Sequence, residues 1–292
     1  LLGSPVSRLS GRESRTGFRL ADSGSGVDAL RIRTPDGLSL SAAHPPADEG
    51  SAGTVLLVHG ITQDMDEGGM YVRLAEVLSE AGFDVVRFTF RGHGDSDGTD
   101  AGVTVGGELL DFETAFEHTR RQFDGPYFVV AKSFGAVSTC YSLDRYGEDI
   151  AGVVLWNPVL DVEGTFFDPT GQWGFENFTG ESLERLEEDG HLAIGNGFEM
   201  GRVLYEELSR YDPGTPFVGS SVPALVVHGD ADDIVPYEDT RRVAEAKGAD
   251  FHTVDGADHG FLTPDTPPRP ADGAREQDRR TVRWLTEQVR EQ

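Results

Sequence analysis

Three short stretches, far apart along 292 residues, hold the side-chain types needed for nucleophilic acyl transfer. Ala131-Lys132-Ser133-Phe134-Gly135 joins a continuous apolar run to a helical pattern. A serine on such a sharp strand-to-helix turn projects its Oγ from the top of a sheet, and small residues two before and two after it let strand and helix approach. A serine hydroxyl is a weak nucleophile unless a base takes its proton. Asp258-His259-Gly260 follows the last strand-like segment in a Gly-rich loop and places His259 at the same sheet edge. His59 and His228 end strands before Gly60 and Gly229, where an imidazole usually supports a loop, and His93 sits in the turn Arg91–Ser96. The base in turn needs a carboxylate to fix its tautomer and stabilise its cation. The stretch from His228 to Pro236 offers Asp230, Asp232 and Asp233, and Asp161 after the preceding strand is a fourth candidate. The N–H groups of Ile61, in His59-Gly60-Ile61-Thr62-Gln63, and of Phe134 are the expected pair of donors for a developing oxyanion. Lys132 is read as a structural cation paired with a nearby carboxylate.

These stretches need a frame that brings them together. Val27–Arg33 and Leu38–Ala43 flank Pro35-Asp36-Gly37 as a hairpin, and Thr54–His59 is a short apolar run typical of a strand buried on both faces. Asp84–Phe90, Tyr127–Lys132, Ile150–Trp156, Pro223–His228 and Asp250–Val254 continue the series. Between them, helical spacing runs through Met70, Leu74, Val77, Leu78 and Ala81, then Leu109, Phe112 and Phe116, then Gly135–Tyr146, then around Val243, and finally Val282, Leu285 and Val289. Such alternation predicts an α/β fold with a mostly parallel central sheet and helices on both faces. Ligand sites in such sheets sit at the carboxyl ends of the strands, which is where Ser133, His259 and the carboxylate cluster fall.

The rhythm breaks over residues 158–222, after the sixth strand. Glu181–Glu188 and Val203–Tyr211 read as helices, and Asn196-Gly197 reads as a hairpin turn. This stretch is too long for an ordinary loop and is expected to be an inserted cap, with 27–157 and 223–292 forming the core. Nine aromatic residues fall in it, and Phe166, Phe167, Trp173 and Phe198 are the candidates for a wall around an apolar substrate pocket. Residues 1–26, with four arginines against Glu13 and Asp22, read as a flexible N-terminal arm.

With these motifs in hand, the chain resembles the α/β-hydrolases of the serine-aminopeptidase-like group, which includes cinnamoyl and feruloyl esterases and monoacylglycerol lipases. The resemblance rests on His59-Gly60-Ile61-Thr62, on Arg91 to Gly98, on Ala131 to Gly135, on His228 to Pro236 and on Asp258-His259-Gly260-Phe261. The order serine, acid, histidine along the chain is also that of the α/β-hydrolases. The resemblance implies ester hydrolysis through an acyl-enzyme, without a cofactor. It selects Asp232 as the acid, because the family pattern places that residue three after the glycine. Gly197 to Arg202 resembles the feruloyl-esterase-like branch. Ala131 stands where the family usually has glycine, and Lys132 where it often has histidine. The expected activity is therefore that of a serine esterase on carboxylic esters, small or aromatic in their acyl part. A peptidase, thioesterase or lyase with the same triad remains open, as does a non-catalytic ligand-binding homologue.

Composition narrows the partners. Fifty-one acids against 25 bases give a net charge of −26. Nucleic acid is a poor partner for such a chain, because binding it needs clustered bases to neutralise phosphates. Only Lys132 and Lys247 among the bases are lysines. Dense carboxylates with little lysine resemble proteins of salt-loving archaea, in which salt screens the repulsion. No apolar run is long enough for a membrane span. Cys140 is the only cysteine, so no intrachain disulfide forms, and a cytoplasmic location is expected. No zinc pattern, calcium loop or phosphate-binding glycine loop is present, so neither metal nor cofactor is expected. The expected partner is a small-molecule ester; monomer and dimer are both compatible with the sequence.

Overall fold

Apolar residues without alternation fill the central strands because both faces of each are covered. The computed structural model describes residues 28–44, 50–264 and 275–291; the arm expected over residues 1–26 lies outside them. The chain opens with strands β1 (Asp28–Arg33), β2 (Ser39–His44) and β3 (Thr54–Val58), helix α1 (Met70–Glu80) and strand β4 (Asp84–Phe88). It continues with α2 (Val105–Gln122), β5 (Tyr127–Lys132), α3 (Gly135–Tyr146) and β6 (Ile150–Trp156). Outside the sheet follow α4 (Gln172–Asn177), α5 (Glu181–Asp189), the hairpin β7 (His191–Gly195) and β8 (Phe198–Gly201), α6 (Arg202–Leu208) and α7 (Gly214–Gly219). The chain then re-enters the sheet with β9 (Ala224–Gly229), α8 (Tyr237–Lys247) and β10 (Asp250–Val254), and α9 (Glu276–Glu291) closes the described chain.

Eight strands form one sheet in the order β1-β2-β4-β3-β5-β6-β9-β10. Strands β1 and β2 pair antiparallel, as do β2 and β4; all other pairs are parallel. The chain runs outward from β3 to β4 and then returns past β3 to β5. The carboxyl ends of β3 and β5 therefore flank a point where the winding reverses, and there the following loops splay into a crevice. Val58 pairs with Ala131, so the loop after β3 and the turn after β5 leave the sheet at the same level.

Alternate residues of each parallel strand feed two buried layers. Leu56, Val129, Leu155 and Val226 pack under α2, α3 and α8, against Phe112, Phe116, Cys140 and Ala244. Val55, Phe128, Val154 and Leu225 pack on the other face against Tyr71, Leu74, Leu78, Trp284 and Leu285 of α1 and α9. Burying each large side chain contributes about 1.5–3 kcal/mol, so both helix layers hold the strand ends rigidly. Trp156 Nε1 donates to Thr281 Oγ1 at 3.0 Å, fastening α9 behind β6.

Helices α4 and α7 and a wide turn over Glu163–Phe167 go beyond the elements read from sequence. Each is only five or six residues long, too short to display a helical period, and Gly174 or Pro216 interrupts the pattern. Helix α7 packs on α3 and α8, with Phe217 in the same buried layer as Cys140. Among the described residues no helix is long and apolar enough to cross a membrane.

Candidate active site

Ser133 directly follows β5 at φ +52°, in the left-handed region. A non-glycine residue held there costs of order 1–3 kcal/mol and persists only where its surroundings enforce it. Here packing enforces it. A Cβ on Gly135 would lie 2.5 Å from the His59 carbonyl oxygen, so only glycine lets α3 start this close to β3. The Ser133 N–H donates to the Trp156 carbonyl at 2.9 Å, and its own carbonyl accepts from Val159 at 3.0 Å. The serine is thus turned out of the ladder with its backbone still satisfied.

His259 follows β10 and presents Nδ1 to Asp232 Oδ2 at 2.8 Å. The Asp232 side chain is fully buried. Its Oδ1 accepts the N–H groups of Ile234 at 2.8 Å and Val235 at 3.0 Å, and His228 Nε2 lies 3.2 Å from its Oδ2. His228 Nδ1 is buried without a partner among the described residues. Burial alone would raise the Asp232 carboxyl, but His259 and His228 beside it hold it well below the usual carboxylate range. Burial lowers the His259 imidazole; Asp232 opposes that shift, and the Lys132 ammonium adds to it. The result is a neutral imidazole with Nδ1–H on a carboxylate and Nε2 left to face the cavity, the protonation state of a base.

Of the four carboxylates that competed at the sequence level, Asp232 alone meets His259. Asp230 accepts from Gly256 N–H, Asp161 pairs with Arg242 at 2.9 Å, and Asp233 is exposed.

Ser133 and His259 line one cavity of about 240 Å3, together with Ile61, Phe134, Val159, Phe166, Trp173, Ile194 and Ile234. Ser133 Oγ makes no hydrogen bond to His259; such contacts often tighten only when substrate enters. Phe166 and Trp173 form part of the cavity wall. Phe167 and Phe198 do not. Phe167 packs on Tyr205, with ring centroids 5.0 Å apart, and lines a separate groove. Phe198 stacks on His93 at 4.7 Å. The two lie elsewhere because successive positions in a turn, or across a hairpin, face different neighbours.

The loop after β3 is tightly fixed. His59 Nε2 accepts the Phe90 N–H at 2.9 Å, so its Nδ1 carries the proton and donates to the Gly60 carbonyl at 2.8 Å. The Gln63 N–H donates to the same carbonyl at 3.1 Å, and His93 Nε2 lies 2.6 Å from the Ile61 carbonyl. Carbonyl and N–H point oppositely across a trans peptide, so the Ile61 N–H is turned away from Gln63. Among the described residues neither the Ile61 nor the Phe134 N–H donates a hydrogen bond. Buried backbone donors are rarely left in this state, and both line the cavity beside Ser133.

Two residues, Asn157 and Glu67, had no role assigned from sequence, and His228 was read only as a loop support. Asn157, at φ +43°, donates from Nδ2 to the His259 carbonyl at 2.9 Å, while its Oδ1 accepts the Gly229 N–H at 3.0 Å. It ties the histidine loop to the carboxylate loop. Its position directly after β6 was the available signal. His228 supports Asp232 from behind. Glu67, at φ +47°, sits in the cavity wall and pairs with Lys132 at 3.3 Å. All five non-glycine residues with left-handed backbone among the described residues, Glu67, Ser133, Asn157, Asn196 and Phe261, line this cavity or flank His259 and its support. Strain concentrated in one place is a mark of a functional site. No cluster of metal-ligating side chains occurs among the described residues.

Comparison with known proteins gives a consistent fold. The sequence family described as serine aminopeptidase, S33, matches residues 49–196, just over half of the chain. The structure of Est1E from Butyrivibrio proteoclasticus, solved with ferulic acid bound, superposes with a TM-score of 0.70 at 20% identity, covering 90% of this chain and 99% of that one. An esterase of Pyrococcus furiosus gives 0.67 at 20% identity, covering 96% and 100%. Alpha/beta hydrolase domain-containing protein 10 from mouse gives 0.66 at 17% identity, covering 90% and 99%. At these identities the likeness to the solved structures is one of fold.

Proposed function

For a chain that belongs to the serine aminopeptidase S33 family and has the α/β-hydrolase fold, we propose the activity of a serine esterase, with Ser133, His259 and Asp232 as its triad. The observation that carries this reading is that Ser133, on a strained turn, and His259, backed at 2.8 Å by Asp232, open onto the same cavity. Ser133 Oγ attacks the ester carbonyl carbon while His259 Nε2 takes the hydroxyl proton. The Ile61 and Phe134 N–H groups hold the resulting oxyanion. The tetrahedral intermediate collapses to an acyl-enzyme, and His259 passes the proton to the departing alcohol. Water, deprotonated by His259, then releases the acid and restores Ser133.

The cavity volume of about 240 Å3 and its Phe166 and Trp173 walls favour a small or aromatic acyl group. Residues 158–222 act as a cap in this reading, since Thr165, Phe166, Trp173, Ile194 and Asn196 close the cavity from outside the sheet. Phe167 is assigned to packing within that segment, and Phe198 to packing that segment on His93.

The family description raises an aminopeptidase as the second reading. Such an enzyme must hold a free ammonium group. Glu67 is the only carboxylate among the lining residues, and Lys132 already occupies it. That pairing supports the ester over the amino-terminal peptide. We further read the excess of acids as adaptation to a saline cytoplasm. A panel of p-nitrophenyl esters beside aminoacyl p-nitroanilides tests the assignment. Turnover of short-chain or aromatic esters, abolished in Ser133→Ala, is the expected result; faster anilide cleavage rejects the ester reading.

A further inference from the structure

The proposed oxyanion donors come from two separate segments: Ile61 from the loop after β3, and Phe134 from the turn after β5. Their convergence depends on the spacing of those segments. A buried ion pair bridges them. Lys132 immediately precedes Ser133 on β5, and its Nζ lies 3.3 Å from Glu67 Oε1, with the two side chains 5% and 1% exposed. Glu67 Oε2 accepts the Gly60 N–H at 2.8 Å. Gly60 in turn packs so closely on the turn that a Cβ there would lie 3.2 Å from Ser133 Cβ.

The backbone around Glu67 is bent to make this contact. Glu67, Gly68 and Gly69 have φ of +47°, +60° and +90°. Glycine adopts such angles freely, whereas glutamate does so at a cost. Glu67 Oε1 has no hydrogen bond besides its ion pair. Burying a charged pair and straining a glutamate are both unfavourable, and an apolar pair of similar volume would be at least as stable. Stability therefore does not explain Lys132 and Glu67.

We propose that the Lys132–Glu67 pair is a strut that sets the oxyanion hole, with both residues acting as positioning residues for the Ile61 and Phe134 N–H groups. The proposal rests on the acyl-transfer reading of Ser133. Glu67 holds Gly60 by its N–H, the two donors on its carbonyl fix the Gly60–Ile61 peptide plane, and Lys132 fixes Glu67 to the strand that carries Ser133. Neither side chain needs to touch substrate.

The strut is tested by comparing wild type with Glu67→Gln, Lys132→Met and Lys132→Arg on a neutral p-nitrophenyl ester. Oxyanion donors act in the transition state, so kcat falls about 10^2-fold in the first two, with KM changed less than about threefold. Lys132→Arg retains the charge and recovers most of the loss. A kcat per folded site within about threefold of wild type in Glu67→Gln or Lys132→Met overturns the proposal, whatever the melting temperature does. If those single variants fail to fold, the paired change Glu67→Leu with Lys132→Met removes both charges together; it should again lose about 10^2-fold in kcat, and wild-type kcat overturns the strut. Fluorophosphonate labelling of wild-type Ser133 separates the two levels. Labelled wild type with unimpaired variants removes the strut alone, and an unlabelled wild type removes the acyl-transfer reading beneath it.

Discussion

The Asn157 side-chain amide links the loop that carries His259 to the end of β9, donating to the His259 carbonyl at 2.9 Å and accepting from Gly229 at 3.0 Å. It is fully buried and sits on left-handed backbone directly after β6. Asn157→Ala leaves the Gly229 N–H and the His259 carbonyl unpaired, which costs about 1–3 kcal/mol each where water cannot reach them. The expected outcome is a lower melting temperature together with a kcat loss larger than the fall in folded fraction, because His259 loses its orientation. Unchanged kcat per folded molecule would show that the histidine loop is set without it.

Asp232→Asn should keep the fold while lowering kcat/KM by about 10^4-fold, since an amide in that place favours the wrong tautomer of His259. Asp233→Asn, at an exposed neighbour, should stay within about twofold. Steady-state rates on one ester decide between the two positions.

His259 accepts a proton only when neutral. Burial and the Lys132 ammonium push it down against the pull of Asp232. Activity is therefore present above the folded-state pKa and lost as pH falls through it, and the acid limb of kcat/KM should lie below about pH 6.5, the ordinary value for histidine. A limb at pH 7 or above contradicts the assignment. Stability follows the same sign. Burial pushes His59 well below its ordinary value. On acidification the unfolded chain takes up protons near pH 6.5 before folded His59 and His259 do, so stability is complete above that value and declines below it. Urea midpoints measured across this range give the slope.

Trp173 lines the cavity, whereas Phe198 packs on His93 outside it. Trp173→Ala should raise KM for aromatic acyl esters by about tenfold, the effect of losing roughly 1.4 kcal/mol of apolar contact. Phe198→Ala should lower the melting temperature by several degrees, leaving the ratio of aromatic to acetyl ester turnover within about twofold. The reverse pattern would place Phe198 in the pocket.

With a net charge of −26, self-repulsion opposes the folded state until salt screens it. The melting midpoint should rise between low and molar KCl. An unchanged midpoint removes the saline reading without affecting the site.

The sheet was legible because strands buried on both faces are written as unbroken apolar runs: Tyr127–Lys132 and Ile150–Trp156 match to the residue, as do the edge strand Asp250–Val254 and helix Gly135–Tyr146. The alternation of strand and helix then located the strand ends, and so Ser133, His259 and the group around Asp232. Spacing alone left Asp230, Asp232 and Asp233 equivalent, because the choice depends on which carboxylate the turn after β9 aims inward. The cavity wall was the least legible part. Phe166 and Phe167 are adjacent and equally apolar, yet only the first reaches the cavity. Asn157 and Glu67 went unread because their roles arise from left-handed backbone and contacts far apart in sequence.

The central claim is that His259 makes Ser133 Oγ nucleophilic. Intact-protein mass spectrometry after brief exposure to a fluorophosphonate tests it most directly. One adduct per chain, mapped to Ser133, absent in Ser133→Ala and formed at least about 10^3-fold more slowly in His259→Ala, is the expected result. An adduct on another residue, no adduct, or equal labelling rates in wild type and His259→Ala would contradict it.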